Sequence, residues 1–221
     1  MNELGIFAKY WRPGAVKTRL ARSIGDEPAA DVHRRMLLAT LQRLQDFQGR
    51  RVLCYTPASE RAAFEALADD RWHLRPQSAG DLGQRMERYF TAAFAEGATR
   101  VVLLGSDTPT LPVEYVHQAF ELLDSHEVVL GPSNDGGYYL LGAAGRPPAI
   151  FEGIAWGTNR VWEETLARLN TQQVSFAEVP PWYDVDERDD LVRLARELAE
   201  ITHPTAAERE LAAVVQHALK R

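Results

Sequence analysis

The sequence predicts an α/β fold built on a mostly parallel sheet. Short β-rich apolar runs alternate with helical patterns of ten or more residues, the signature of βαβ units. The strongest apolar run, Arg100 to Leu104 (RVVLL), is continuous rather than alternating, as in a strand covered on both faces. The 221 residues contain no repeat, low-complexity tract or linker-like stretch, so one domain spanning 1–221 is expected, with helices from about residue 188 packed on it.

In order, Leu4 to Lys9 reads as the first strand, and Pro28 to Phe47 as a helix with Val32, Met36, Leu37, Leu41 and Leu44 at helical spacing. Arg51 to Tyr55 is the second strand, and Ser59 to Ala68 a helix with Ser59 as N-cap. Trp72 to Arg75 is a short strand, followed by a helix from Asp81 to Glu96 that Gly97 ends. Beyond the Arg100–Leu104 strand, Val113 to Asp124 is a helix entered through Pro112. Glu127 to Leu130 and Gly137 to Gly142 are strands, Thr158 to Leu169 a helix, and Val174 to Glu178 a strand. Arg188 to Glu200 and Ala206 to Lys220 are helices. The last has an apolar face of Leu211, Val214, Val215 and Leu219, suited to packing on the domain or to a dimer seam.

Composition narrows the function classes. With 45% apolar and 25% charged residues and a net charge of −6, the chain is globular and a poor match to nucleic acid or anionic membranes. Cys54 is the only cysteine, so neither an intramolecular disulfide nor a Cys-rich zinc site is available. The histidines form no H-x-H or H-E-x-x-H pattern. No apolar run reaches the roughly 18–20 residues of a membrane helix, and the N-terminus lacks a signal-peptide pattern. A cytoplasmic location is expected.

In open α/β sheets ligands bind outside the carboxyl ends of the strands, so the residues following each strand carry the functional expectation. After the first strand, Lys9 to Arg22 (KYWRPGAVKTRLAR) holds five cations and no acid. Pro13-Gly14 turns the chain, and Lys17 and Arg19 can grip a di- or triphosphate; the alternative is a solvated basic loop. The spacing is neither a Walker A loop nor G-x-G-x-x-G. Asp107, in GSDTP directly after the strongest strand, can hold Mg²⁺ or Mn²⁺ beside a diphosphate, or else form an Asx turn or cap the next helix. Asp135, with Gly136 and Gly137, can bind a substrate group or simply make an Asp-Gly hairpin turn. Alternation puts Asp184 and Asp186 on one side of an extended segment, where Asp186 can complete a two-carboxylate metal site; taken alone, Asp186 reads better as a helix cap. In Gln77 to Arg85 the helix start can meet an anion or base edge, although an ordinary Ser78 or Asp81 cap is the better local reading.

The segments RPGAVKTRLA, GDLGQRM, GSDTP, GPSNDGGYYLLG, Trp156-Gly157-Thr158 and DVDERDDL, spread over roughly residues 4 to 195, resemble bacterial GT-A-like glycosyltransferase-type proteins (the DUF2064 type), often associated with radical-enzyme gene clusters. The family is similar to 2-phospholactate guanylyltransferase. The resemblance implies a single-domain GT-A, nucleotide-diphospho-sugar transferase-like three-layer α/β/α sandwich. It implies a nucleotide site at Pro13, Gly14, Lys17 and Arg19, with base or ribose contacts from Gln77, Gly80, Asp81 and Gly83. It further implies a Mg²⁺ or Mn²⁺ carboxylate at Asp107, a second at Asp186, and an acceptor side at Asp135, Gly136 and Gly137. Trp11 stands where many relatives have Pro, and Glu187-Arg188 where Thr-Pro usually follows D-V-D.

Three functions follow as expectations. The first is a metal-dependent glycosyltransferase acting on a nucleotide sugar and a small acceptor, with Asp107, Lys17 and Arg19 catalytic. The alternative is a nucleotidyltransferase that joins an NTP to a phosphorylated small acid or sugar phosphate and releases pyrophosphate. The third is a non-catalytic nucleotide-binding module. An oligomer is compatible with all three.

Overall fold

The central strand β1 (Asn2–Lys9) hydrogen-bonds in parallel to β2 (Arg50–Thr56) on one side and β4 (Arg100–Gly105) on the other. The computed structural model describes residues 1–220. Its sheet has seven strands in the order β3-β2-β1-β4-β6-β5-β7, adding β3 (His73–Pro76), β5 (Val128–Pro132), β6 (Tyr138–Ala144) and β7 (Phe176–Glu178). Among these strands β6 alone runs antiparallel, pairing with β4 and β5. Leu4, Ile6, Val102, Leu104, Val101 and Leu103 are buried on the two sheet faces, as their unbroken apolar runs require.

Helices cover both faces. On one side, α2 (Asp26–Arg43), α3 (Arg61–Glu65) and α5 (Val113–Leu122) bury Leu37, Leu41, Phe64, Val116 and Phe120 against the sheet. On the other, α4 (Leu82–Ala95) and α6 (Val161–Thr171) bury Met86, Phe90 and Leu169. The short helix α1 (Thr18–Ile24) and the C-terminal helices α7 (Arg188–Glu200) and α8 (Ala206–Leu219) close over the outer side of α2, joining Leu20, Val32, Met36, Leu194, Leu211 and Val215 in a second cluster. The apolar stripe of α8 is thus used within the chain, on α2 and α7. No helix among the described residues is long and apolar enough to cross a membrane.

Several element boundaries differ from expectation. The basic segment after β1 is not all loop, because its last five residues, Thr18 to Arg22, belong to α1. Gly25, at φ 91°, ends that helix with its N–H on the Ala21 carbonyl at 2.8 Å, and α2 restarts at once with Asp26 and Glu27 in its first turn. The Ser59 cap is absent: Ala58–Glu60 is a 3₁₀ turn and α3 makes no side-chain cap bond. At α6, Thr158 lies outside the helix, its hydroxyl tied into the preceding turn through Ala155 O at 2.8 Å.

Candidate active site

Lys17 stands at the junction of loop and helix, as the N-cap of α1, with φ 48° and ψ 42°. This left-handed conformation is uncommon outside glycine. Its side chain is only 3% exposed, and its Nζ lies 2.8 Å from Asp107 Oδ1 and 3.0 Å from Asp186 Oδ1. One ammonium therefore joins the end of β4 to the segment before α7. The second carboxylate arrives by a specific route. After β7 the chain stays beside β5, with Val179 N on Leu130 O at 2.9 Å and Trp182 N on Pro132 O at 3.1 Å; it then reaches the end of β4, with Val185 N on Asp107 O at 3.0 Å. Alternation about Val185 leaves Asp184 and Asp186 on the site side.

Burial alone would raise the Asp107 carboxyl. The Lys17 ammonium and the His33 ring outweigh it and hold Asp107 well below the usual carboxylate range. For Lys17, burial pulls the ammonium down, but Asp107 and Asp186 together hold it above its ordinary value. His33, buried on α2, places Nε2 3.0 Å from Lys9 O and Nδ1 3.5 Å from Asp107 Oδ1. Asp184 is pushed the other way, up to about 7, first by burial and then by the negative charge of Asp107, with Lys17 opposing. Arg19, 57% exposed on α1, has Nη1 3.8 Å from Asp186 Oδ2.

Beside this cluster is a cleft of ≈ 380 Å³ whose lining includes Arg19, Asp184, Asp135, Tyr138, Trp156 and Asn159. Asp135 and Gly137 border it, but Asp135 is also the turn residue of the β5–β6 hairpin. Its Oδ1 accepts from the Ser133 hydroxyl and from Gly137 N at 3.0 Å. Asp135 thus makes the Asp-Gly hairpin turn, and it does so at the wall of the cleft. Gly136, at φ 88°, sits against the Asn159 backbone, where a Cβ would overlap the carbonyl oxygen.

Not every residue singled out in the sequence reaches the carboxylates. Pro13 and Gly14 form an exposed turn, Gly14 at φ 74°, held by Lys9 Nζ on Ala15 O at 2.7 Å. Lys9 and Arg12 are therefore not free phosphate ligands, since Arg12 pairs with Glu60 Oε1 at 3.0 Å. Trp11 anchors this loop edge-on to Phe64, with centroids 5.2 Å apart. Gln77 donates from Nε2 to Cys54 O at 2.9 Å and Ala8 O at 3.2 Å, stitching strand ends together. Asp81 caps α4, accepting from Gln84 N at 2.9 Å while Gln84 Oε1 accepts from Asp81 N. That box consumes N–H groups the sequence suggested for an anion. Gly80, at φ 113°, packs over Gln84, and Gly83 lies under Trp156, whose indole a Cβ would overlap.

The local reading of Asp186 as a helix cap is also corrected. Glu187 is the N-cap of α7, and Asp190, at N3 of a capping box, accepts from Asp186 N at 3.0 Å and Glu187 N at 2.8 Å. Likewise Asp107 caps no helix: Pro112 is the N-cap of α5. Sequence reasoning missed His33, which no motif marks, and gave no role to Asp184, although the D-V-D spacing held the signal.

Among the described residues no group of three or more His, Cys, Asp or Glu side chains is placed to hold a metal ion by itself. Asp107 and Asp186 offer hard oxygen donors about one cation. That set fits Mg²⁺ or Mn²⁺ shared with phosphate oxygens rather than an all-protein cage.

The model of a bacterial family described as "Uncharacterized protein conserved in bacteria (DUF2064)" matches residues 38–158. This chain belongs to that family. It is 32% identical over 186 residues to a 3-phospho-D-glycerate guanylyltransferase of Phenylobacterium zucineum (strain HLK1), covering 81% of this chain and 84% of that one. A crystal structure from Desulfovibrio desulfuricans G20, assigned as a nucleotide-diphospho-sugar transferase, superposes with TM-score 0.88 at 33% identity, covering 98% of this chain and 97% of the other. A cytidylyltransferase structure from Leptospira borgpetersenii serovar Hardjo-bovis (strain JB197) shares the fold, with TM-score 0.58 at 18% identity over 98% of this chain and 94% of its own. The fold is the GT-A-type α/β/α sandwich the motifs implied, and the chain is a nucleotide-dependent transferase. The Phenylobacterium relative is named for nucleotidyl rather than glycosyl transfer.

Proposed function

We propose that this DUF2064 protein is a nucleotidyltransferase that joins the nucleoside monophosphate of an NTP, with GTP first in line, to a small phosphorylated acid. The observation that carries the reading is the convergence of Lys17 and Arg19 with Asp107 and Asp186 at the carboxyl edge of the sheet. The guanylyltransferase relative supports the reaction type.

In this reading an oxygen of the acceptor's phosphate attacks the α-phosphorus of the NTP. A new P–O bond forms, the bond between the α-phosphorus and the bridging oxygen breaks, and pyrophosphate leaves with the electron pair. Negative charge builds on the leaving group, and Lys17 and Arg19 are the cations placed to neutralise it. A divalent ion held by Asp107 and Asp186 would screen the phosphate charges and polarise the α-phosphoryl group. The nucleoside is assigned to the side of Pro13, Gly14, Gly80 and Gly83, where the ends of β1, β2 and β3 meet the start of α4, with the Gln77 and Asp81 side chains holding that edge in shape through their own bonds. The acceptor is assigned to the cleft lined by Asp135 and Gly137, with Gly136 shaping the turn between them and Arg19 as the anion contact.

The test is pyrophosphate release from each NTP, with Mg²⁺ or Mn²⁺, in the presence of 3-phosphoglycerate or phospholactate. Release that needs both nucleotide and acceptor supports the reading. The Desulfovibrio relative keeps glycosyl transfer as a second reading. Nucleoside diphosphate release from a nucleotide sugar, with no pyrophosphate from any NTP, would replace the first reading with it.

A further inference from the structure

We propose that Lys17 is a built-in counter-ion for the metal-binding carboxylates, and that a divalent cation takes its place only when phosphate anions draw the ammonium away. The inference rests on the nucleotide-transfer reading of this site and deepens it into an order of binding.

The geometry is that of a cation already seated. Nζ lies within 3.0 Å of one oxygen from each carboxylate. The two carboxylates are 37% and 31% exposed while the Lys17 side chain is 3% exposed, so solvent and ligands reach the acids from the side opposite the ammonium. The left-handed backbone of Lys17 starts α1 while sending the stem inward. Its flexible four-carbon stem lets the charge swing without moving the helix.

The charge balance leaves the seat underfilled. Asp107 and Asp186 share one buried monovalent cation at 2.8 and 3.0 Å, and the exposed Arg19 adds only a 3.8 Å contact to Asp186. A divalent ion matches that excess of negative charge better, but on its own it must evict a buried ammonium that has nowhere else to go. Phosphate oxygens supply the ammonium with a new partner. Arg19, exposed at the mouth beside Asp186, is the first cation an incoming phosphate meets. Anion and metal therefore assist each other, and linkage makes the assistance reciprocal.

The experiment measures Mn²⁺ binding directly, by the EPR signal of free Mn²⁺, with and without inorganic pyrophosphate. It compares wild type with Lys17→Met, which keeps the length and removes the charge. Wild type is expected to bind Mn²⁺ weakly alone. Lys17→Met is expected to bind Mn²⁺ alone on the order of tenfold more tightly, within the usual range of site coupling, and to lose most of the enhancement by pyrophosphate. Its melting temperature should rise with Mn²⁺ by more than that of wild type. Arg19→Met leaves the ammonium in place and should show no gain in affinity for Mn²⁺ alone. Lys17→Gln repeats the test if Lys17→Met does not fold. Equal or weaker Mn²⁺ affinity in a folded Lys17 variant overturns the proposal. Failure of the nucleotide-transfer reading looks different: no NTP yields pyrophosphate, while the Mn²⁺ gain in Lys17→Met persists.

Discussion

Asp190 accepts hydrogen bonds from the backbone N–H groups of Asp186 and Glu187, at 3.0 and 2.8 Å, and thereby leaves the Asp186 carboxylate to Lys17. The acid-rich start of α7 thus divides its labour, one acid satisfying the helix terminus and another facing the site. Asp190→Ala should cost about 1 kcal/mol, the usual value of a lost cap. It should also lower turnover, because the Asp186 backbone loses its tether. Urea unfolding and pyrophosphate release measure the two effects. Asp189→Ala, at an exposed position of the same turn, is the control, and an equal loss there would refute the division of labour.

Asp107 anchors the cation cluster at the end of β4. Asp107→Asn preserves the shape and removes the charge, so turnover should fall on the order of 10²-fold or more, the scale of losing a main electrostatic contact to the transition state. Circular dichroism should show the fold retained. Wild-type rates in this variant would remove Asp107 from the chemistry.

Two adjacent glycines should behave differently. At Gly136 the backbone is left-handed and a Cβ would run into the Asn159 backbone, which has no flexible end to move aside. At Gly137 the nearest atoms to a Cβ are side-chain oxygens of Asp135 at 3.3 Å and Ser133 at 3.5 Å. Gly136→Ala should therefore destabilise by roughly 1–3 kcal/mol, as overpacking does, and Gly137→Ala by clearly less. Thermal melts of the pair decide it; equal melting temperatures would contradict the packing described between the hairpin and the start of α6.

The pH dependence of stability has a definite sign. Burial and then Asp107 raise Asp184 in the folded chain to about 7, whereas in the unfolded chain it returns to about 4. Between those values the folded state holds a proton that the unfolded state has lost, so this group's stabilisation is full below about pH 4 and is lost as pH rises toward 7. Asp107 is depressed, so its stabilisation is present above its unfolded value and is lost only in strong acid. In EDTA, wild type should lose stability from pH 5 to 7.5 relative to Asp184→Asn. Parallel curves for the two proteins would show that Asp184 carries no such shift.

Much of the fold was legible because its signals are local. The continuous run Arg100–Leu104, the Pro112 entry to α5, the cap at Asp81 and the bounds of α7 each depend on a few neighbouring residues. Helix α1 was not legible, because seven residues with a left-handed start carry little periodicity of their own and are held by packing on α2 and α7.

For the site, the sequence by itself marked Lys17, Arg19 and Asp107 through their residue types and their places after strands, while Asp186, which alone read as a helix cap, was marked by the resemblance. Tertiary structure alone decided that these residues meet. The crossing of the chain from β5 to the end of β4 brings Asp186 to Lys17 across 169 positions of sequence. It also decided which polar groups were already spent: Gln77 on strand carbonyls, Asp81 on a helix end, Lys9 on the loop's own Ala15 carbonyl and Arg12 on Glu60 after β2. A residue's chemistry is written in its side chain. Its free valence depends on what the folded chain places within hydrogen-bonding distance, and those partners are set by strand order and helix packing over long separations.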